Sequence, residues 1–546
     1  MLMMSYIFMI MSMMIMFSSI MMIYHNIFIY IKTFLFKSFS MSIPISMIMD
    51  WTSCLFLSTV LMISSMILMF SIYYIPKNEH KQFSLMLIMF ILSMIILILS
   101  NNLFLMLLGW DMLGMSSYIL VIFYQNHSSS GSGSITLLSN RIGDIFILLS
   151  ISNLISQSMW EFNMNEKFTL LTMLMLMMAS CTKSAQFPFS AWLPMAMSAP
   201  TPISALVHSS TLVTAGIFLM IRISTNPHPN TLITLMMISS FTTIYASMSA
   251  NWEQDMKKII ALSTLSQMAM MMFSISIMSV SLAYIHLIIH AFFKSLMFMC
   301  AGIMIHESSY QDMRMMSMNS SNIPLISSTL GITSSALMAL PFTSGFFSKD
   351  MIIEKMISSK LECMMTYLML LSIGMTATYN LRMINMSNKM MMKSKSDSMN
   401  HSNLTSNIPI ISMSPMAIFL GTSMLWITNP EQMLLLPSSL KKSILMMLFL
   451  GMMTGFMLSY KSFNFNSLGQ SSITLWFIHF MSTKIMTITS PLMMMLLKND
   501  KNWQEIYGPK NSFSLSMKML YIPELTKSSL LTMMMLISII PIIMMN

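Results

Sequence analysis

The sequence predicts an all-α membrane protein, a polytopic bundle of about 15–16 transmembrane helices. Three observations carry that prediction. Only 8% of the 546 residues are charged and 55% are hydrophobic, whereas a soluble domain carries about 25% charged residues. Such a chain cannot cover itself with a solvated surface. Apolar runs long enough to cross a bilayer, about 20 residues each, recur from end to end. They are continuous and do not alternate with period two, which argues against a β-barrel.

In chain order the spans read at 2–24, 51–75, 83–100, 101–124, 135–157, 168–190, 203–223, 231–249, 258–279, 281–303, 324–345, 361–386, 408–428, 442–460, 478–497 and 530–545. The first, "MLMMSYIFMIMSMMIMFSSIMMIY", lacks the basic start and cleavage site of a signal peptide and the arginines of a transit peptide, so it reads as a retained span. Two polar stretches interrupt the series. "NMSNKMMMKSKSDSMNHSN" at 385–403 is a loop by its Ser, Asn and Lys content. "LKNDKNWQEIYGPKNSFSLSMK" at 497–518 reads equally as a loop or as an amphipathic helix on the membrane surface.

The net charge of +10 is spread over short loops. Lys32 and Lys37, Lys77 and Lys81, and Lys389, Lys393 and Lys395 flank different spans. They form no nucleic-acid patch, and because they fall on successive loops they leave the membrane orientation open. Cys54, Cys181, Cys300 and Cys363 show neither metal-ligand nor disulfide spacing and read as small buried apolar residues. The 81 methionines, and only four arginines (Arg141, Arg222, Arg314, Arg382) among 28 basic residues, resemble the composition of proteins encoded in AT-rich animal mitochondrial genomes. That is a coding signature and not a functional one.

Ionisable residues inside the apolar runs are the informative set, since membrane charges face a bundle interior or water and mark function by default. Asp111 lies in "LLGWDMLGMSSYIL", Arg141 and Asp144 in "NRIGDIFILLS", and Lys183 and His208 in "TKSAQFPFSAWLPMAMSAPTPISALVHSS". His286, His290 and Lys294 follow in "IHLIIHAFFKSLMF", then Lys349 and Asp350 in "PFTSGFFSKDMIIEK". His286, His290 and Lys294 step by four, which puts three titratable groups on one helical face as a relay for protons. His306 and Arg222 lie near span ends and read as solvated or snorkelling.

Helix breakers accompany both lysines. Pro188, Pro194, Pro200 and Pro202 follow Lys183, and Pro341 and Gly345 precede Lys349. Transporters break helices near mid-membrane, where irregular backbone lines a hydrated cavity. The two lysines are 349 − 183 = 166 residues apart, room for about five spans, and two such units suggest an internal repeat of inverted topology.

The wording now resembles a known family. "NRIGD", "KSAQFPFSAWLPMAMSAPTPISALVHSSTLVTAG", "DMKKIIALSTLSQM", "HAFFKSLMFMCAG" and "GFFSKD" occur in the order found in the chain 5 family of NADH–ubiquinone oxidoreductase, the distal antiporter-like subunits of respiratory complex I. The match is close over residues 100–355. It implies two inverted antiporter-like repeats with discontinuous helices, and a C-terminal lateral helix followed by a final anchor. The expected division is N-terminal helices at 1–100, half-channels at 101–230 and 231–386, and the lateral helix and anchor within 387–546.

By the same resemblance, Asp111 looks like the carboxylate partner of Lys183. Protons would pass from Lys183 through His208 to His286, His290 and Lys294, and leave by Lys349 with Asp350. Moving a carboxylate toward or away from a buried lysine switches it between holding and releasing a proton. Asp111 stands where many members have Glu, so its reach is shorter. Arg141 and Asp144 read either as a tuning pair or as a static ion pair.

The sequence carries no Gly-rich dinucleotide loop, no P-loop and no iron–sulfur cysteine set. The resemblance therefore implies no cofactor and no metal on this chain, with NADH, FMN, iron–sulfur clusters and ubiquinone on partner subunits. It further implies neighbouring antiporter-like and accessory subunits, lipids such as cardiolipin, no nucleic acid, and synthesis and residence in the mitochondrial inner membrane. Two other functions compete on sequence alone: a cation/proton antiporter subunit, distinguished by sodium-dependent flux without NADH, and a non-conducting scaffold of the membrane arm.

Overall fold

The computed structural model describes residues 1–37, 42–156, 161, 168–224, 227–316, 324–358, 363–388, 404–428, 437–460, 467–475, 478–504, 508–509, 511–520, 532–534 and 537. The chain forms two compact units, Met1–Trp476 and Phe477–Asn546.

In the first unit, α1 (Leu2–His25) leads into an antiparallel hairpin of β1 (Ile29–Lys37) and β2 (Ser42–Met49), in which Ile31 pairs with Met47. This hairpin departs from the all-helical expectation. Its second strand is tied down by the Asn101 amide, which donates to the Ser46 carbonyl at 3.0 Å. Then come α2 (Trp51–Tyr74), α3 (His80–Leu99), α4 (Leu103–Val121), α5 (His127–Ser156), α6 (Leu170–Lys183), α7 (Trp192–Met195) and α8 (Thr201–Ile203). A π-helical segment, Ser204–Thr211, joins α8 to α9 (Leu212–Ile223). The unit continues with α10 (Pro229–Trp252), α11 (Met256–Ser276), α12 (Val280–Ser308), α13 (Pro324–Met338), α14 (Ser344–Ser358), α15 (Cys363–Asn388), α16 (Leu404–Met413), α17 (Met416–Thr428), α18 (Ser438–Tyr460) and α19 (Ser467–Ile473).

Among the described residues, eleven helices are long and apolar enough to cross a membrane, against the 15–16 expected. The difference has identifiable causes. The expected spans at 168–190 and 324–345 stop at helix breaks, so α6 and α13 are only 14 and 15 residues long. The 361–386 and 478–497 segments are helical but fall outside that set. Most of 530–545, and the loop from 389 to 403, lie outside the described residues. The candidate spans of α2, α11 and α12, and the span running through α8 and α9, are buried on all sides, as expected for helices apolar around their whole circumference. α1, α3, α5 and α18 instead keep apolar side chains such as Phe17, Leu85, Leu138 and Phe449 on the surface. Buried serines do not disturb this packing, because they bond within their own helix: Ser58 and Ser65 donate to the Leu55 and Met62 carbonyls, each at 2.7 Å.

In the second unit α20 (Ile478–Lys498) ends in a π-helical turn, Asn499–Gln504, and α21 (Asn511–Leu520) follows. The stretch expected as either loop or surface helix is thus helical over 511–520.

Candidate functional site

Lys183 and Lys349 each sit beside a broken helix, and the two breaks are built alike. After α6, Ala185 turns left-handed (φ 56°) and the Gln186 amide bonds back to the Cys181 carbonyl at 2.9 Å. After α13, Ala339 turns left-handed (φ 65°) and the Leu340 amide bonds to the Ser335 carbonyl at 3.1 Å. Each is a helix-terminating motif of the kind glycine usually supplies. The free carbonyls at such an end carry partial negative charge. Lys183 is the last residue of α6. Lys349, on α14, points its amine back at the Leu337 carbonyl near the end of α13, 3.4 Å away. Close approach is enforced by glycine: a Cβ on Gly143 would overlap the Thr182 hydroxyl beside Lys183, and one on Gly345 would overlap the Ala336 carbonyl.

Around Lys183 the expected partners are present but arranged differently from the expectation. Arg141 Nη1 lies 3.1 Å from Asp144 and 3.6 Å from Asp111. Among the described residues neither carboxylate reaches within 4.0 Å of Lys183. The fully buried lysine amine instead donates to the Trp110 carbonyl at 3.2 Å and lies 4.9 Å from the centre of the Trp110 ring. Asp111 is therefore paired with Arg141, and Arg141 bridges both acids. The short Asp side chain, one residue along from Trp110, ends on the arginine side.

His208 is buried in the π-helical segment, and among the described residues neither of its ring nitrogens has a protein hydrogen-bond partner. Its contact toward Lys183 is indirect. Trp192 meets the His208 ring edge-on, centroids 6.2 Å apart, and donates its indole N–H to the Thr182 carbonyl at 3.0 Å. The π-helical segment itself packs on α12; π-helical turns are frequent at functional sites.

α12 carries the central group. His286 bonds Ser348 at 2.8 Å through Nδ1 and Gln267 at 3.2 Å through Nε2. The His290 ring lies 6.2 Å from that of His286, and the Lys294 amine donates to the Ser263 hydroxyl. Ser263 and Gln267 are themselves four apart on α11, so a polar ladder on α11 faces the titratable ladder on α12. Lys349 follows Ser348 directly and also donates to Thr376 Oγ1 on α15 at 3.0 Å. Asp350 does not join it, since consecutive helical residues point about 100° apart. Asp350 is half-buried one turn before Glu354, which pairs with Lys441 at 3.5 Å.

Residues outside the sequence expectation also belong here: Trp110, Trp192, Ser263, Gln267, Ser348 and Thr376. Uncharged partners leave no signal in an apolar run, although the four-residue spacing of Ser263 and Gln267 was readable. Lys257 and Arg382 were visible as ionisable residues in or beside spans. Lys257 is buried and donates to the Ala199 carbonyl at 3.1 Å. Arg382 is buried with one amine on the Glu253 carbonyl at 2.6 Å. Burial holds the Glu253 carboxyl, just past α10, above the usual carboxylate range despite Lys258 3.7 Å away. Arg222, expected to be solvated or snorkelling, pairs with Asp50 at 2.6 Å and lies over Phe218. His306, at the end of α12, is exposed and meets the Tyr73 hydroxyl at 3.2 Å. Among the described residues no group of three or more His, Cys, Asp or Glu is placed to hold a metal ion.

Comparison with known proteins gives three family matches. "NADH:quinone oxidoreductase/Mrp antiporter, TM" covers residues 100–377, "NADH dehydrogenase subunit 5 C-terminus" covers 379–546, and "NADH-Ubiquinone oxidoreductase (complex I), chain 5 N-terminus" covers 35–83. NADH-ubiquinone oxidoreductase chain 5 of Aedes aegypti is 40% identical over 514 residues, 90% of this chain and 88% of that one. Its counterpart in Locusta migratoria is 39% identical over 506 residues, 88% and 87% of the two chains. Among solved structures, a chain of the Mrp complex from a Dietzia species superposes with a TM-score of 0.66 at 19% identity, covering 97% of this chain and 58% of that one. At that identity the likeness concerns the fold.

Proposed function

The chain belongs to the NADH-ubiquinone oxidoreductase chain 5 family, and we propose that its proton path runs from Lys183 through His208 to His286, His290 and Lys294 and on to Lys349. It is an antiporter-like, multi-pass membrane-arm subunit of complex I, the proton-translocating NADH:ubiquinone reductase, and its partners include other membrane-arm subunits. The redox cofactors belong to partner subunits on this reading, and this chain supplies proton-carrying side chains only. Residence in the mitochondrial inner membrane is supported by the composition and by the relatives' names. Accessory subunits and lipids such as cardiolipin contact the exposed apolar faces of α1, α3, α5 and α18.

One observation carries the path: His286 is held between Gln267 on α11 and Ser348 on α14, the residue next to Lys349. A ring that binds a hydroxyl at one nitrogen and an amide oxygen at the other keeps one proton site per nitrogen. His290 and Lys294 extend that site along the same helix face by one and two turns. Among the described residues, His208 and His290 keep buried ring nitrogens without protein partners. Buried polar atoms of this kind are satisfied by ordered water, which links titratable side chains that do not touch. Arg141, in contact with both Asp111 and Asp144, tunes the charge opposite Lys183. Residues 101–230 and 231–386 form the two half-channels, each with its own lysine beside a break, and Asp350 with Glu354 lies on the exit side of the second. The test is the number of protons pumped per NADH by the reconstituted complex when Lys183 is replaced by Met.

A further inference from the structure

We propose that Trp110 is a positioning residue for Lys183, holding the protonated amine on its indole face and backbone carbonyl as an uncharged counter-group while Arg141 occupies both carboxylates. This rests on the reading of Lys183 as the proton-carrying residue of the first half-channel.

The observations are geometric. The Lys183 amine is fully buried, 4.9 Å from the centre of the Trp110 ring and 3.2 Å from the Trp110 carbonyl oxygen. One turn along α4 stands Gly114, where even a Cβ would come no nearer than 3.8 Å to that amine. The amine is thus received by ring, carbonyl and a gap beside glycine, all on one face of α4. Trp110 is itself fully buried. Asp111, the next residue, lies 3.6 Å from Arg141. One short stretch of α4 therefore offers the lysine an uncharged seat and presents the carboxylate to its competitor.

The charged groups facing Lys183 are few. α4 contributes Asp111, and α5 contributes Arg141 and Asp144. The one charged residue of α9, Arg222, lies at the other end of that helix and is held by Asp50 at 2.6 Å. α10 carries no charge and one titratable side chain, Tyr245. Among aromatic faces, tryptophan attracts an ammonium in a desolvated site most strongly, ahead of tyrosine or phenylalanine. The ring attracts only the protonated amine, since the neutral amine has no charge for the quadrupole to act on. Trp110 therefore sets how firmly Lys183 keeps its proton when no carboxylate is close.

The experiment measures protons pumped per NADH against pH for the assembled complex in proteoliposomes, with Trp110→Leu and Trp110→Phe beside Lys183→Met. Loss of the ring destabilises the protonated form, so the profile of W110L moves toward lower pH by roughly one unit. W110F keeps a weaker aromatic face, so its shift is smaller and in the same direction. Should W110L fail to assemble, the W110F shift decides the matter. A profile that stays in place in an assembled variant, or that loses height at every pH without moving, overturns the positioning role and leaves Trp110 as packing. A wild-type ratio in K183M overturns the proton-carrying reading of Lys183, and the proposal with it. A reduced K183M ratio with an unmoved tryptophan profile overturns the Trp110 proposal alone.

Discussion

Replacing Gly345 by Ala tests whether the second helix break must be packed as tightly as the structure shows it. A Cβ at Gly345 would overlap the Ala336 carbonyl oxygen and crowd its carbon, so α13 and α14 must move apart. Overpacking of this kind costs about 1–3 kcal/mol. Gly331 on α13 supplies the control, because a Cβ there meets nothing within 4 Å. Alanine gains about 0.5–1 kcal/mol of helix propensity at Gly331, in the middle of α13, and less at Gly345, the second residue of α14; a loss confined to Gly345→Ala therefore reports the clash. The site shares the consequence. Ser348 lies one turn after Gly345 and holds His286 at 2.8 Å, while Lys349 reaches the Leu337 carbonyl across the same gap. The assay is the melting temperature of the purified complex together with its protons per NADH. Gly331→Ala keeps the proton ratio at wild-type level and the melting temperature at or above it, whereas Gly345→Ala lowers both. Equal behaviour of the two variants would refute the close-packed break as the support of Lys349.

Two further predictions concern the partners of buried cations. Thr376→Val removes the hydroxyl that accepts from Lys349 at 3.0 Å; a hydrogen bond to a charged group is worth about 1.5–3 kcal/mol, so the pH profile of pumping moves lower by roughly one to two units, and Thr376→Ser leaves it in place. Arg222→Leu strips the 2.6 Å partner from Asp50 at the start of α2 and destabilises the fold by about 1–3 kcal/mol; adding Asp50→Asn restores part of that loss in thermal melting, because the uncompensated charge is then gone.

Much of the helical order was legible because membrane spans announce themselves by composition alone. The 203–223, 258–279 and 281–303 segments reappear as Thr201–Ile223, Met256–Ser276 and Val280–Ser308, with N-terminal ends within two residues and C-terminal ends within five. The breaks were legible from Pro188 and Pro341, although the turn in each case is made by an alanine, Ala185 or Ala339, with nothing in its own chemistry to mark it. The hairpin over 29–49 was not legible, since Pro44 and the short alternation around it argue against a paired strand. Pairings between distant segments were the least legible. Four-residue spacing places His286, His290 and Lys294 on one face, but nothing local says that Arg141, not Lys183, holds Asp111. That choice is set by how α4, α5 and α6 pack, with Gly143 bringing α5 against Thr182. Adjacency in sequence misled for Asp350, because neighbours on a helix face apart.

The central claim is that α12 joins the two lysines into one path. The most direct measurement compares protons per NADH for Lys183→Met, Lys349→Met and the double variant in the reconstituted complex, with NADH oxidation in the presence of uncoupler confirming assembly. A single serial path predicts that each substitution lowers the ratio by the same amount and that the double variant lowers it no further. Losses that add in the double variant would mean two independent paths, and a wild-type ratio in either single variant would remove that lysine from the route.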